Sequence, residues 1–94
     1  MKQSVKRVIL TGNWQAVTFE KKAKHYFVKN FSDNDIFVSF AENDSEDTSF
    51  KIKSGFGEEV AITFYQVDNK FYKTNVIYVK GTGEVEIQQL DVRV

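Results

Sequence analysis

Apolar residues along this 94-residue chain recur with period two or in short runs of β-branched and aromatic side chains. Clusters of turn-forming residues separate the runs at intervals of roughly 8–12 residues, the spacing of sandwich strands. Val8-Ile9-Leu10 is the first run, ended by Gly12-Asn13. Trp14, Val17 and Phe19 mark the second, ended by Lys21-Lys22, and Tyr26, Phe27 and Val28 centre the third. Asn30 to Asp35 is dense in side chains that bond their own backbone in turns and leads into Ile36, Val38 and Phe40 on one face, so the pair on either side of it reads as a hairpin.

A polar, acidic loop from Glu42 to Ser49 follows, then a short strand at Phe50-Lys51-Ile52 and a turn at Ser54-Gly55-Phe56-Gly57. Val60, Ile62 and Phe64 alternate cleanly. Asp68-Asn69-Lys70 breaks the pattern, and Val76-Ile77-Tyr78-Val79 has apolar groups on both faces, as a strand in a sheet interior does. Lys80-Gly81-Thr82-Gly83 turns the chain into Val85 and Ile87. After Gln88-Gln89 the parity shifts to Leu90, Val92 and Val94, which predicts a bulge or the end of the ladder. No window carries a sustained helical stripe with caps. The expectation is all-β: one antiparallel two-sheet β-sandwich over residues 1–94, jelly-roll-like rather than a closed barrel.

Composition fits a folded domain, with 41% hydrophobic and 15% aromatic residues. Thirteen basic and thirteen acidic residues cancel, so no overall positive field favours nucleic acid; yet residues 1–41 carry a net +4 and residues 42–94 a net −4. The absence of proline removes one device that blunts edge strands, leaving charge or a partner to do so. The absence of cysteine excludes disulfides, thiolate metal sites and a cysteine nucleophile. No apolar run is long enough for a membrane span, and the start lacks the apolar core of a secretory signal. Neither membrane nor nucleic acid is an expected partner.

Chemistry-bearing residues are sparse. His25 is the only histidine; without a nucleophile-elbow motif nearby it reads as a strand residue at a sheet edge or a contact between subunits, where its titration would make assembly pH-sensitive. Glu42, Asp44, Glu46 and Asp47 offer oxygens to a hard cation but lack the glycine and terminal glutamate of a calcium loop, so a solvated acidic loop is the expectation. Glu58 and Glu59 are adjacent on a strand and point to opposite faces, which prevents joint acid and base work on one substrate. Gly55-Phe56-Gly57 and Gly81-Thr82-Gly83 precede no helix that would hold phosphate. Lys21, Lys22 and Lys24 followed by Tyr26 and Phe27 superficially match a single-strand nucleic-acid platform, but a solvated loop is the simpler reading. Trp14, His25, Tyr26, Tyr65 and Tyr72 are the candidate interface or ligand contacts, with sugar stacking as one use of the aromatics. No cofactor, metal or enzymatic activity is expected.

Three segments carry a family resemblance. The first runs from Leu10 through Phe19, then Tyr26 to Phe31 and the Asp-Asn-Asp turn into Ile36 to Phe40; the second is Phe50 to Glu58; the third is Ile77 to Gln88, similar to a closing hairpin. Together they resemble small β-sandwich structural proteins of tailed bacteriophages and prophages, of the head-fibre, capsid-decoration or tail-associated type. The resemblance implies a non-enzymatic virion component that forms a homo-oligomer, with a trimer favoured, contacts other virion proteins, and resides in the host cytoplasm before assembly. It implies no cofactor or catalytic residue. The alternative is a carbohydrate-binding module that recognises cell-wall or host glycans.

Overall fold

A computed structural model describes residues 4–42, 44–62 and 74–90 of the chain. Eight strands are present among them: β1 (Ser4–Thr11), β2 (Gln15–Ala23), β3 (His25–Asn30), β4 (Ile36–Ser39), β5 (Phe50–Ile52), β6 (Gly57–Ala61), β7 (Thr74–Lys80) and β8 (Thr82–Gln89). A single 3-10 turn at Glu46–Thr48 is the one helical element of the described residues. None of their helices is long and apolar enough to cross a membrane.

The strands form two four-stranded antiparallel sheets packed face to face, a β-sandwich as the alternation predicts. The front sheet has the order β1-β8-β3-β6 and the back sheet β2-β7-β4-β5. Inward positions fill the space between them. Leu10, Val28, Val85 and Ile87 from the front meet Val17, Ile36, Val38, Ile77 and Val79 from the back in one buried cluster. Each fully buried valine or isoleucine here contributes about 1.5–3 kcal/mol. The run at Val76–Val79 lies in the sheet interior as its pattern indicates, since β7 is flanked by β2 and β4.

Consecutive strands alternate between the sheets, except for β4 and β5, which pair with each other. This overturns two hairpin expectations. β3 and β4 lie in opposite sheets, and so do β7 and β8. Period-two alternation cannot separate the cases, because a strand buries the same face whether its successor lies beside it or across the core from it. What decides is the corner. Between β3 and β4, the buried side chain of Asn30 donates to the carbonyls of Asn34 (2.8 Å) and Ile52 (3.1 Å) and accepts from the Ser32 amide and hydroxyl (2.9 and 2.6 Å), bending the chain over the sandwich end. Between β7 and β8 stands Gly81, where a Cβ would come within 2.7 Å of Ile36. Gly83 follows at φ +106°, with room for no Cβ beside Ser32.

One boundary also differs from the pattern. β2 does not end at Lys21-Lys22 but reaches Ala23, which is buried and pairs with Thr74 after a register shift beyond Thr18. The shift lets three exposed residues pass before the inward parity resumes. At the other end, β8 stops at Gln89 as expected, but the inward parity of Val85 and Ile87 continues into Gln89 itself, a polar residue 3% exposed. Phe64, Asp68-Asn69-Lys70, Val92 and Val94 lie outside the described residues.

Candidate functional site

The predicted contact residues do not gather. Trp14 is half-buried in the turn after β1, at the Thr82 end of β8, whereas His25 opens β3 beside Gln89 and Leu90, at the other end of that strand. The eight residues of β8 put roughly 25 Å between those ends. Tyr26 is a correction. Its ring is wholly buried between Phe19 and Phe40, and its hydroxyl donates to the Thr74 carbonyl (2.6 Å) and accepts from Gln89 Nε2 (3.1 Å), so it is a core residue that ties the two sheets together. Its burial also removes it from any nucleic-acid stacking platform with the nearby lysines. Tyr65 and Tyr72 lie outside the described residues.

His25 is not on a sheet edge either, since β3 runs between β8 and β6. On the outer face of the front sheet its Nδ1 lies 2.8 Å from Glu59 Oε2. The acidic loop is held by its own hydrogen bonds. Asp44 accepts from the Ser39 hydroxyl (2.5 Å), from the Thr48 hydroxyl and from the Ser45 amide (2.8 Å), and these donors, Ser39 foremost, hold its carboxyl below the usual carboxylate range. Glu46 lies 3.0 Å from Lys80. Among the described residues no three His, Asp or Glu side chains gather into a metal-binding group.

The surface feature that does stand out is the outer face of the front sheet. Val5, Arg7 and Ile9 of β1, Glu84, Glu86 and Gln88 of β8, His25, Phe27 and Lys29 of β3, and Gly57, Glu59 and Ala61 of β6 share that face by register. Glu86 sits at its centre between Arg7 (3.0 Å) and Lys29 (3.7 Å). Of the six large apolar side chains that are strongly exposed among the described residues, five border this face: Val5, Ile9, Leu90, Phe31 and Phe56. Isolated exposed apolar groups are ordinary, but a cluster on one face marks an interaction site.

A cleft of about 230 Å³ opens at one corner, lined by Phe27, Lys29, Phe31, Phe56 and the backbone of Gly55 and Gly57. The corner is rigidly built. The Asn30 amide donates to the Phe56 carbonyl (2.9 Å), the Gly55 amide donates to the Asn30 carbonyl (2.9 Å), and the Ser54 hydroxyl donates to the Ser32 carbonyl (2.6 Å). Gly55 takes φ +79° to make the turn. Phe27 lies so close to Gly57 that a Cβ there would stand 2.8 Å from its ring. Sequence reasoning placed Phe31 and Phe56 only as members of turns. The signal was available, since a large apolar residue inside a turn-forming cluster has no inward position to occupy.

Comparison with known proteins adds nothing to this geometry: no family model, no curated protein and no solved structure matches the chain.

Proposed function

We propose that this chain is a non-enzymatic assembly module, a structural component of a phage or prophage virion that associates with copies of itself and with a larger shell or tail. The observation that carries the assembly reading is the concentration of exposed apolar side chains on the outer face of the front sheet. The virion part rests on the resemblance of the three segments and on analogy of fold. The pairing of β1 with β8, β2 with β7, β3 with β6 and β4 with β5 supports a jelly-roll winding, an architecture used by viral capsid and lectin domains. A trimer is the favoured state.

Glycan binding is the second reading, favoured by the aromatic cleft. Its polar inventory argues for an apolar occupant instead. Both Asn30 donors and its acceptor are engaged inside the corner, and Lys29 is drawn to Glu86. Sugar hydroxyls would find few free partners there.

Light scattering coupled to size-exclusion chromatography tests the proposal. A defined oligomer at micromolar concentration is expected, and a strict monomer with glycan-array binding would replace this reading with the second.

A further inference from the structure

The two edge strands of the front sheet are unlike. Among the described residues β1 and β6 each pair on one side only. β1 carries Lys6 and Arg7 with no acidic residue; β6 carries Glu58 and Glu59 with no basic one. The edges of the back sheet show no such opposition, since Lys51 lies on β5 and Lys21 and Lys22 on β2. From these edges we infer that a second copy of the chain adds its β1 to the β6 edge, antiparallel, so that the front sheets run on from subunit to subunit. This inference rests on the assembly reading and specifies its geometry.

Three features of the fold agree with it. The first is direction. With four antiparallel strands in the sheet, β1 and β6 run oppositely, so a copy displaced sideways along the sheet presents its β1 antiparallel to β6 without being turned over. The second is hydrogen-bond phase. The bond from the Gly12 amide to the Gly81 carbonyl shows that even-numbered residues of β1 bond inward to β8, so by alternation Val5, Arg7 and Ile9 direct their backbone groups to the free edge. The bonds from Asn30 to Phe56 and from Ile62 to Lys24 likewise leave Gly57, Glu59 and Ala61 facing outward along β6. These same odd-numbered residues hold the outer face on both strands, so backbone pairing and face matching are satisfied together.

The third is side-chain fit. Setting Arg7 of the incoming strand opposite Glu59 puts Val5 opposite Ala61 and Ile9 opposite Gly57. Arg7 and Glu59 each have an internal partner, Glu86 and His25, but their side chains remain 71% and 51% exposed and have further donor and acceptor capacity. Ile9, at 64% the most exposed of the large apolar residues described, then lies over the bare backbone of Gly57, at the mouth of the cleft formed by Phe27, Phe31 and Phe56. Pairing like edges, β1 with β1 or β6 with β6, would set two charges of one sign against two of the same. Because the contact joins different surfaces, repeated use closes a ring when the rotation allows it, the arrangement a trimer requires.

The chain has no cysteine, so introduced thiols report the contact directly. Val5→Cys and Ala61→Cys proteins are mixed and mildly oxidised, with Val5→Cys plus Thr18→Cys as control. Directly opposed residues of such a pair have Cα atoms about 5.5 Å apart, within disulfide reach. The first mixture is expected to form the mixed disulfide about tenfold faster than the control or more, through raised effective concentration. An oligomer by light scattering without this cross-link, or a dominant Val5–Val5 cross-link in the single-variant sample, overturns the β1–β6 contact and leaves the assembly reading standing. A strict monomer overturns both.

Discussion

The two outer faces of the sandwich are built from the same number of strands but are finished differently. On the back sheet, Ser39 projects away from the core by alternation and is nonetheless 3% exposed, because residues 44–49 fold over it with Asp44 on its hydroxyl and Glu46 on Lys80. The chain supplies that cover itself. On the front sheet no segment of the described residues plays this part, and Ile9, Phe31 and Phe56 stand more than half exposed beside an ion-paired centre. Matched sheets thus differ in their outward side chains: a segment of the chain itself covers Ser39 on the back sheet, whereas no segment of the described residues covers those on the front. Single exposed apolar side chains are ordinary, but several gathered on one uncovered face are the pattern of an interaction surface.

The contrast depends on the corner that holds Phe31 and Phe56 apart, and Asn30 is the place to break it. Asn30→Ala strands the Ser32 amide and the carbonyls of Asn34 and Ile52 in a buried site, and should cost about 3–4 kcal/mol in urea denaturation. Stability within about 1 kcal/mol of the parent would mean that the cleft is not shaped by this corner. A smaller loss is expected at the tie between the sheets. Tyr26→Phe removes the hydroxyl that bonds Thr74 and receives Gln89, costing about 1–2 kcal/mol. Gln89 already holds a buried Oε1 with no partner among the described residues, so adding Gln89→Met to Tyr26→Phe should cost less than the sum of the single changes.

These polar hubs show where sequence reading stops. The strands and the inward residues were legible because burial imposes period two on Val17 and Phe19, on Ile36 and Val38, and on Val85 and Ile87. The sheet to which each strand belongs was not, because a crossing corner and a hairpin share that period. Asn30 looks like any turn residue until the carbonyl of Ile52, from a distant strand, joins its local partners Ser32 and Asn34. Tyr26 illustrates the same limit from the other side: as an aromatic it stood among the candidate contacts, and only the positions of Thr74 and Gln89, far away in sequence, show how a buried phenol is satisfied. For the candidate face, Val5, Ile9 and Phe31 were visible as apolar residues, but that they border one face with Phe56 and Leu90 follows from strand register and from the corner cleft, neither of which the sequence prints.

The cover over the back sheet can be weakened by acid. Asp44 has its carboxyl pKa lowered by its three donors, so the ionised form favours the folded loop. The sign follows from linkage: a depressed folded pKa gives stability that is fully present above the unfolded value, near 3.8, and lost as pH falls through the folded one. The difference in urea midpoint between the parent and Asp44→Asn should therefore be greatest near neutral pH and shrink toward zero in strong acid. A difference that stays constant with pH would assign the loop's order to packing instead of to the carboxylate.

The smallest effect on the fold separates the two faces most directly, through a reciprocal exchange. Ile9→Thr on the front keeps a β-branched side chain and removes an apolar tip; Thr18→Val on the back adds apolar surface at an exposed position of β2. Neither should change folding stability by more than about 0.5 kcal/mol, since both sites are at the surface. Association should respond to only one of them. Sedimentation equilibrium is expected to show a weakened oligomer for Ile9→Thr and an unchanged one for Thr18→Val. Equal behaviour of the two would remove the distinction between a face finished by its own chain and a face finished by another, because apolar surface on either sheet would then count alike.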